Sequence, residues 1–184
     1  MKKLSVIIEK NLQVKKVLAL LILTSLIYLI MLGVTIPLVS TYAEELKLLD
    51  MMPMGYDFDD VNALFSALGP KGRNAYLYNQ LPVDMIYPAL FGMSFCLLLA
   101  YLLKKLNRYN GKLFYLCLLP LFAGFADYME NVGIIVLLTN YPNLTSGLVP
   151  ITAFFSLLKS GVTTLYFLIL IGTFILLGIK TLKK

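Results

Sequence analysis

Four long stretches of the chain are almost wholly apolar, and more polar stretches of different lengths separate them. Each is at least as long as the roughly 19 residues that a helix needs to cross a hydrocarbon core of ~30 Å. None shows the alternation of apolar and polar positions that a membrane β-barrel requires. The pattern therefore predicts four transmembrane helices, at residues 17–39, 85–103, 113–138 and about 150–179.

The segment between the first two helices, residues 42–83, is predicted to be partly helical. Asp59 or Asp60 can cap a short amphipathic helix that Gly69 ends, and a second short helix follows around residues 74–78. We expect this segment to cover the outer end of the other helices as a lid. Since the later connections are short, the fold class is an all-α integral membrane protein, an antiparallel four-helix bundle forming one domain over residues 1–184.

Basic residues are concentrated on one side of the predicted helices. Twelve of the 16 Lys and Arg residues lie before the first helix, between the second and third, or after the fourth. The positive-inside rule then places both termini in the cytoplasm, most simply at the cell membrane. The net charge of +6 is explained by this topology, so we predict no nucleic-acid partner and expect the lipid bilayer itself to be the main surroundings.

The lysine-rich start of the first apolar segment is also typical of a signal peptide. Its apolar stretch is longer than the ~7–15 residues of a signal peptide's core, so a retained anchor helix is the preferred interpretation.

Composition excludes several kinds of chemistry. Hydrophobic residues make up 59% of the chain and charged residues 14%, far from the values of a soluble domain. Without histidine, the chain can build neither a histidine general base nor a Ser-His-Asp arrangement. Cys96 and Cys117 lie in apolar runs and form no CxxC motif, so they are predicted to pack as small hydrophobic residues. No spacing matches a metal or phosphate motif, and we predict no cofactor.

Ionisable side chains occur inside the predicted spans, where they are costly and therefore candidates for function. Asp127, Glu130 and Asn131 share one face of the third helix. Lys159 lies on a polar stripe of the fourth helix, and Asp84 begins the second. These five residues are the predicted ligand-binding or ion-pair cluster, with Lys159 paired to Asp127 or Glu130.

A hydrated polar cavity is expected around this cluster, in the outer half of the bundle. Every one of the four helices contributes a polar or small residue at the appropriate depth. The predicted lining is Tyr28, Tyr87, Gly124, Ser156 and Thr163.

Simpler interpretations exist for each member of the cluster. Lys159 can extend to the membrane interface if the fourth span begins later. Asp84 can be a helix-capping or interfacial residue. Asp127, Glu130 and Asn131 can form a structural cluster that fastens the third helix to its neighbours.

Three functions follow from these patterns. The first is a small membrane protein whose cavity, open to the outside, binds or transports a cation, a proton or a small solute, for which a homo-oligomer would provide room. The second is an intramembrane enzyme for a lipid or other apolar substrate, with Asp127 or Glu130 as the general acid and base. The third is a non-catalytic accessory or assembly subunit of a membrane complex. Binding or transport is ranked first, and no catalytic residue is assigned.

Overall fold

Every regular element of the described chain is helical. The computed structural model describes residues 2–109 and 111–183, and no strand occurs among them. Within these residues, four helical stretches are long and apolar enough to cross a membrane: Val14–Ser40, Phe58–Lys105, Lys112–Asn140 and Leu148–Leu182. A multi-pass membrane protein is the class that these stretches indicate.

The described part of the chain contains eight α-helices. In chain order they are α1 Lys2–Lys10, α2 Val14–Ile30, α3 Ile36–Ser40, α4 Phe58–Ala75, α5 Leu81–Asp84, α6 Tyr87–Lys105, α7 Leu119–Asn140 and α8 Leu148–Leu182. Two 3₁₀ turns, Leu49–Met51 and Lys112–Leu118, and two π-helical turns, Met31–Thr35 and Tyr76–Gln80, lie between them.

Both π-helical turns precede a proline by two residues. The first joins α2 to α3 before Pro37, and the second joins α4 to α5 before Pro82. A proline ring collides with the carbonyl four residues back and offers no N–H, and in both places that carbonyl lies inside the π turn. The wider turn accommodates the ring, so the helix continues past the proline.

The helix that begins the segment 58–84 differs in detail from the prediction. Asp57, not Asp59 or Asp60, is the N-cap residue: its carboxylate accepts from the Asp60 N–H at 2.9 Å, while the Asp60 carboxylate accepts from the Asp57 N–H at 3.0 Å. This is a capping box, in which two otherwise unpaired donors are satisfied reciprocally. The predicted break at Gly69 is confirmed, because its φ of 57° is not helical. Beyond it the helix continues through the π turn towards α6.

Three contacts bring both terminal regions and the α6–α7 connection to one end of the molecule, here called the basic end. Lys104 Nζ lies 2.8 Å from Glu9 Oε1. The Tyr109 hydroxyl donates to the Ser5 carbonyl at 2.8 Å, and Lys180 Nζ donates to the Lys105 carbonyl at 2.8 Å. The opposite end, where the segment 41–57 connects α3 to α4, is here called the lid end.

Helix α6 occupies the centre of the packing, against α2, α7 and α8. Thr24 Oγ1 of α2 donates to Ser94 Oγ of α6 at 3.0 Å. Gly124 allows α7 to approach α6 closely, since a Cβ there would lie 2.7 Å from the Pro88 carbonyl oxygen. Helices α2 and α8, by contrast, expose most of their large apolar side chains, including Leu29 and Leu168. Cys96 and Cys117 are buried free thiols in the core, as predicted.

Candidate ligand-binding cavity

A cavity of about 430 Å³ lies between α2 and α8 towards the lid end. Helix α2 packs mainly on α6, and α8 mainly on α7, so a gap remains between α2 and α8 that the cavity occupies. The walls come from α2, the π turn that follows it, the start of α3, the segment 50–53, and helices α5 to α8. They comprise Tyr28, Met31, Leu32, Ile36, Asp50, Met51, Pro53, Asp84, Tyr87, Phe91, Ala123, Asp127, Lys159, Ser160, Thr163 and Thr164.

An ion-pair cluster joins α8 to α7 at the cavity wall. Lys159 Nζ lies 3.2 Å from Asp127 Oδ1 and 2.5 Å from Glu130 Oε2. Asp127 and Glu130 are three residues apart and so lie on one face of α7. Their side chains are 9% and 0% exposed, and that of Lys159 is 19% exposed. The ammonium of Lys159 therefore contacts both carboxylates in a largely water-free setting, where a paired charge is far cheaper than a single one.

Asp84 is a buried carboxylate without a hydrogen-bond or ion-pair partner among the described residues. It ends α5 and lines the cavity, and the residue is 3% exposed. Within residues 2–109 and 111–183 its carboxylate makes no hydrogen bond or ion pair; only its backbone carbonyl is engaged, by Asn131 Nδ2 at 3.4 Å. A buried carboxylate without a compensating group is strongly unfavourable. Asp84 is therefore the group in this wall that most needs an external partner.

Asp50 is a further carboxylate in the wall, and the sequence analysis did not identify it. The Tyr76 hydroxyl donates to its Oδ1 at 2.7 Å, and Gln80 Nε2 donates to its Oδ2 at 3.1 Å. Tyr76 and Gln80 are the two ends of the second π turn, and Gln80 Oε1 also accepts from Thr35 Oγ1 in the first. The two π turns thus meet beside the cavity. Single π turns within α-helices are frequently found at functional sites.

The segment 49–56 forms the wall of the cavity at the lid end. The Met52 carbonyl accepts from Ser156 Oγ of α8 at 3.1 Å, which fastens this segment to α8. Tyr56, behind it, has a buried hydroxyl without a hydrogen-bond partner among the described residues. Burial, together with the negative charge of Glu130, raises the pKa of the Tyr56 hydroxyl well above its usual range, so it stays a neutral donor.

Aromatic rings form the part of the wall that lies between α2 and α6. The ring centroids of Tyr28 and Tyr87 are 5.5 Å apart and the rings are stacked. Phe91, one turn further along α6, lies 5.8 Å from Tyr87. All three rings line the same cavity as Asp84 and Asp127.

The remaining predicted site residues are divided between the cavity wall and the packing behind it. Thr163 lines the cavity with Tyr28 and Tyr87. Gly124 does not line the cavity, because it packs directly against the Pro88 carbonyl of α6. Ser156 is not a lining residue either, and its hydroxyl donates a hydrogen bond to the Met52 carbonyl. Glu130 and Asn131 are fully buried behind the wall, and Asn131 Oδ1 has no partner there within the described part of the chain.

The signals for Asp50 and Tyr56 in the sequence are weak, since both lie in a segment without helical periodicity.

The chain shows no significant match to any protein-family model, curated protein or solved structure.

Proposed function

We propose that the chain is an antiparallel four-span membrane protein with both termini in the cytoplasm. The basic end carries both terminal regions and the α6–α7 connection, which together contain most of the lysines. The positive-inside rule assigns this end to the cytoplasm. Apolar side chains exposed along α2 and α8 supply the surface that lipid would cover. The cavity then opens nearer the outer surface.

We infer that this cavity binds a cation. Three carboxylates line it, those of Asp50, Asp84 and Asp127, against the single ammonium of Lys159 among the described lining residues. That ammonium is already shared by Asp127 and by Glu130 behind the wall. The observation that carries the proposal is the buried carboxylate of Asp84, which has no hydrogen-bond or ion-pair partner in the described part of the chain and whose charge a bound cation would neutralise.

The contrast between Asp84 and Asp127 supports binding over a purely structural cluster. A structural cluster is expected to satisfy its own charges, as Lys159 does for Asp127. Asp84 is left out of that arrangement, although it lies on the same cavity. Proteins commonly keep such a destabilising group where it serves binding, at some loss of stability.

The test uses purified protein in detergent, with thermal unfolding followed by circular dichroism. The chlorides of sodium, potassium, methylammonium and tetramethylammonium are compared at equal ionic strength. A cation that binds only the folded state stabilises it by RT ln(1 + [L]/Kd), about 2.7 kcal/mol at a concentration of 100 Kd. We expect at least one of these cations to raise the Tm of the wild-type protein and to leave that of Asp84→Asn unchanged.

Two further results are expected from the same experiment. Without added ligand, Asp84→Asn should unfold at a higher temperature than the wild type, because the amide carries no charge, whereas an ionised Asp84 would be buried with Lys159 beyond ion-pair distance. Asp59→Asn makes the same chemical change at an exposed acid outside the cavity, and it should respond to cations as the wild type does. If no cation in the series distinguishes wild type from Asp84→Asn, the cavity does not bind these cations and the proposal is wrong.

A further inference from the structure

Exposed lining residues place openings of the cavity at the flank between α2 and α8 and at the lid end, where Met51 is 41% exposed. The rim at the flank includes Tyr28 and Leu32 of α2 and its π turn, which are 44% and 42% exposed, and Thr164 of α8, which is also exposed. At the lid end, Asp50 is held by hydrogen bonds from Tyr76 and Gln80. One accessible side is therefore the flank on which α2 and α8 expose apolar residues, and this is the side that lipid would cover in a bilayer.

The interior combines two features that recognise organic ammonium groups. Aromatic rings attract a desolvated cation through their π faces, and Tyr28, Tyr87 and Phe91 provide three such rings in one wall. Carboxylates accept charge-assisted hydrogen bonds from an ammonium, and Asp84 is free to do so. A volume of about 430 Å³ exceeds what a single inorganic ion needs and lies in the range of sites for small organic molecules.

The polarity of the wall changes along its length. Asp84 and Asp127 are only 3% and 7% exposed, whereas Leu32, the exposed lining residue of the π turn after α2, is apolar, as are the half-buried Ile36 and the buried Met31. A ligand that matches this order carries its charge at one end and an apolar chain at the other. In a bilayer, such a molecule could place its head between the aromatic rings and Asp84 while its chain stayed in the gap between α2 and α8.

We propose that the cation is the head group of an amphipathic amine, a molecule with an ammonium and an apolar chain, which enters the cavity from the bilayer between α2 and α8. This inference rests on the proposed function, since the ammonium is the cation that the cavity binds. It adds the chemical class of the ligand and its route of entry.

The absence of tryptophan from the chain provides a direct test, because one introduced tryptophan reports without background. Leu32→Trp places the reporter at the rim of the gap. Phe125→Trp is the matched control, on an exposed face of α7 only two residues from Asp127 and outside the cavity lining. Both variants are placed in lipid nanodiscs, and fluorescence quenching is measured on adding dibromo-octadecylamine or, separately, dibromo-octadecanol at the same mole fraction.

We expect the brominated amine to quench the fluorescence of Leu32→Trp more strongly than that of Phe125→Trp, and the brominated alcohol to quench both alike. Excess octadecylamine without bromine should remove the additional quenching at position 32, and octadecanol should not. Adding Asp84→Asn to Leu32→Trp should also abolish it. The competition by octadecylamine needs no second substitution, so it tests the inference even if the double variant does not fold.

Equal quenching by the amine at both positions, or additional quenching that octadecylamine does not displace, would overturn the inference. These outcomes are separable from failure of the proposed function. If tetramethylammonium stabilises wild type over Asp84→Asn while the amine shows no preference for the reporter at position 32, the cavity binds cations but does not take amphipathic amines through the gap. If neither ligand acts, both proposals fail.

Discussion

Replacing Lys159 by methionine is expected to destabilise the protein strongly, because it strands two carboxylates. The ammonium of Lys159 lies 3.2 Å from Asp127 and 2.5 Å from Glu130, whose side chains are 9% and 0% exposed. Methionine has a similar length and no charge. Removing one partner of a buried ion pair costs about 3–5 kcal/mol, since the other partner remains buried without compensation.

The chain contains a matched control at its basic end. Lys104 Nζ lies 2.8 Å from Glu9 Oε1, which is similar to the distances from Lys159 Nζ to Asp127 and Glu130. The side chains of Lys104 and Glu9, however, are 52% and 48% exposed. Exposed pairs contribute about 0–1 kcal/mol, because water and salt screen the attraction. Lys104→Met therefore makes the same chemical change at a similar distance and differs in burial. We expect it to leave stability nearly unchanged.

The assay is unfolding of all variants in one detergent, followed by circular dichroism at one ionic strength. A third variant, in which Lys159→Met is combined with Asp127→Asn and Glu130→Gln, removes the stranded charges as well and should regain much of the lost stability. The explanation from burial is refuted if Lys159→Met costs no more than Lys104→Met. It is also refuted if the triple variant is as unstable as Lys159→Met alone.

Two other predictions concern the helices that position the cavity. Gly124→Ala should destabilise the protein by about 1–3 kcal/mol, since the added methyl group would collide with a backbone carbonyl of α6. Gly161→Ala should not destabilise it, because no atom lies within 4 Å of the position of the added methyl group. Comparison of the unfolding temperatures of the two variants in detergent checks this prediction. Asp57→Ala should cost about 0.5–2 kcal/mol by removing the capping box of α4. Faster amide hydrogen exchange in the first turn of α4 is its specific signature, and unchanged exchange there would show that the box contributes nothing.

Much of the architecture can be predicted from the sequence because the controlling property is local. Long apolar runs identify the spans without knowledge of their neighbours, since the length that crosses a bilayer is a property of a single helix. The same holds for the residues on one face of a helix, such as Asp127 and Glu130, whose spacing alone places them side by side. A break at Gly69 is likewise a local effect of a residue that tolerates positive φ.

Local rules also have limits within a single element. Three aspartates compete to cap α4, and the choice of Asp57 depends on which one can exchange hydrogen bonds with a partner three residues on. The two π turns follow from prolines that are visible in the sequence. Whether a proline ends a helix or widens one turn, however, depends on the packing around it.

The cavity itself was decided by the tertiary structure. The sequence determined that polar side chains occur on all four apolar helices, but the gap between α2 and α8 arises because α2 packs on α6 while α8 packs on α7. Asp50 joins the wall only because Tyr76 and Gln80, 26 and 30 residues further along, hold it there. Such contacts between residues distant in sequence depend on how the helices pack together, which no local pattern encodes. For the same physical reason the sequence shows that Asp84 is costly, and only the packed structure shows that it has no partner among the described residues.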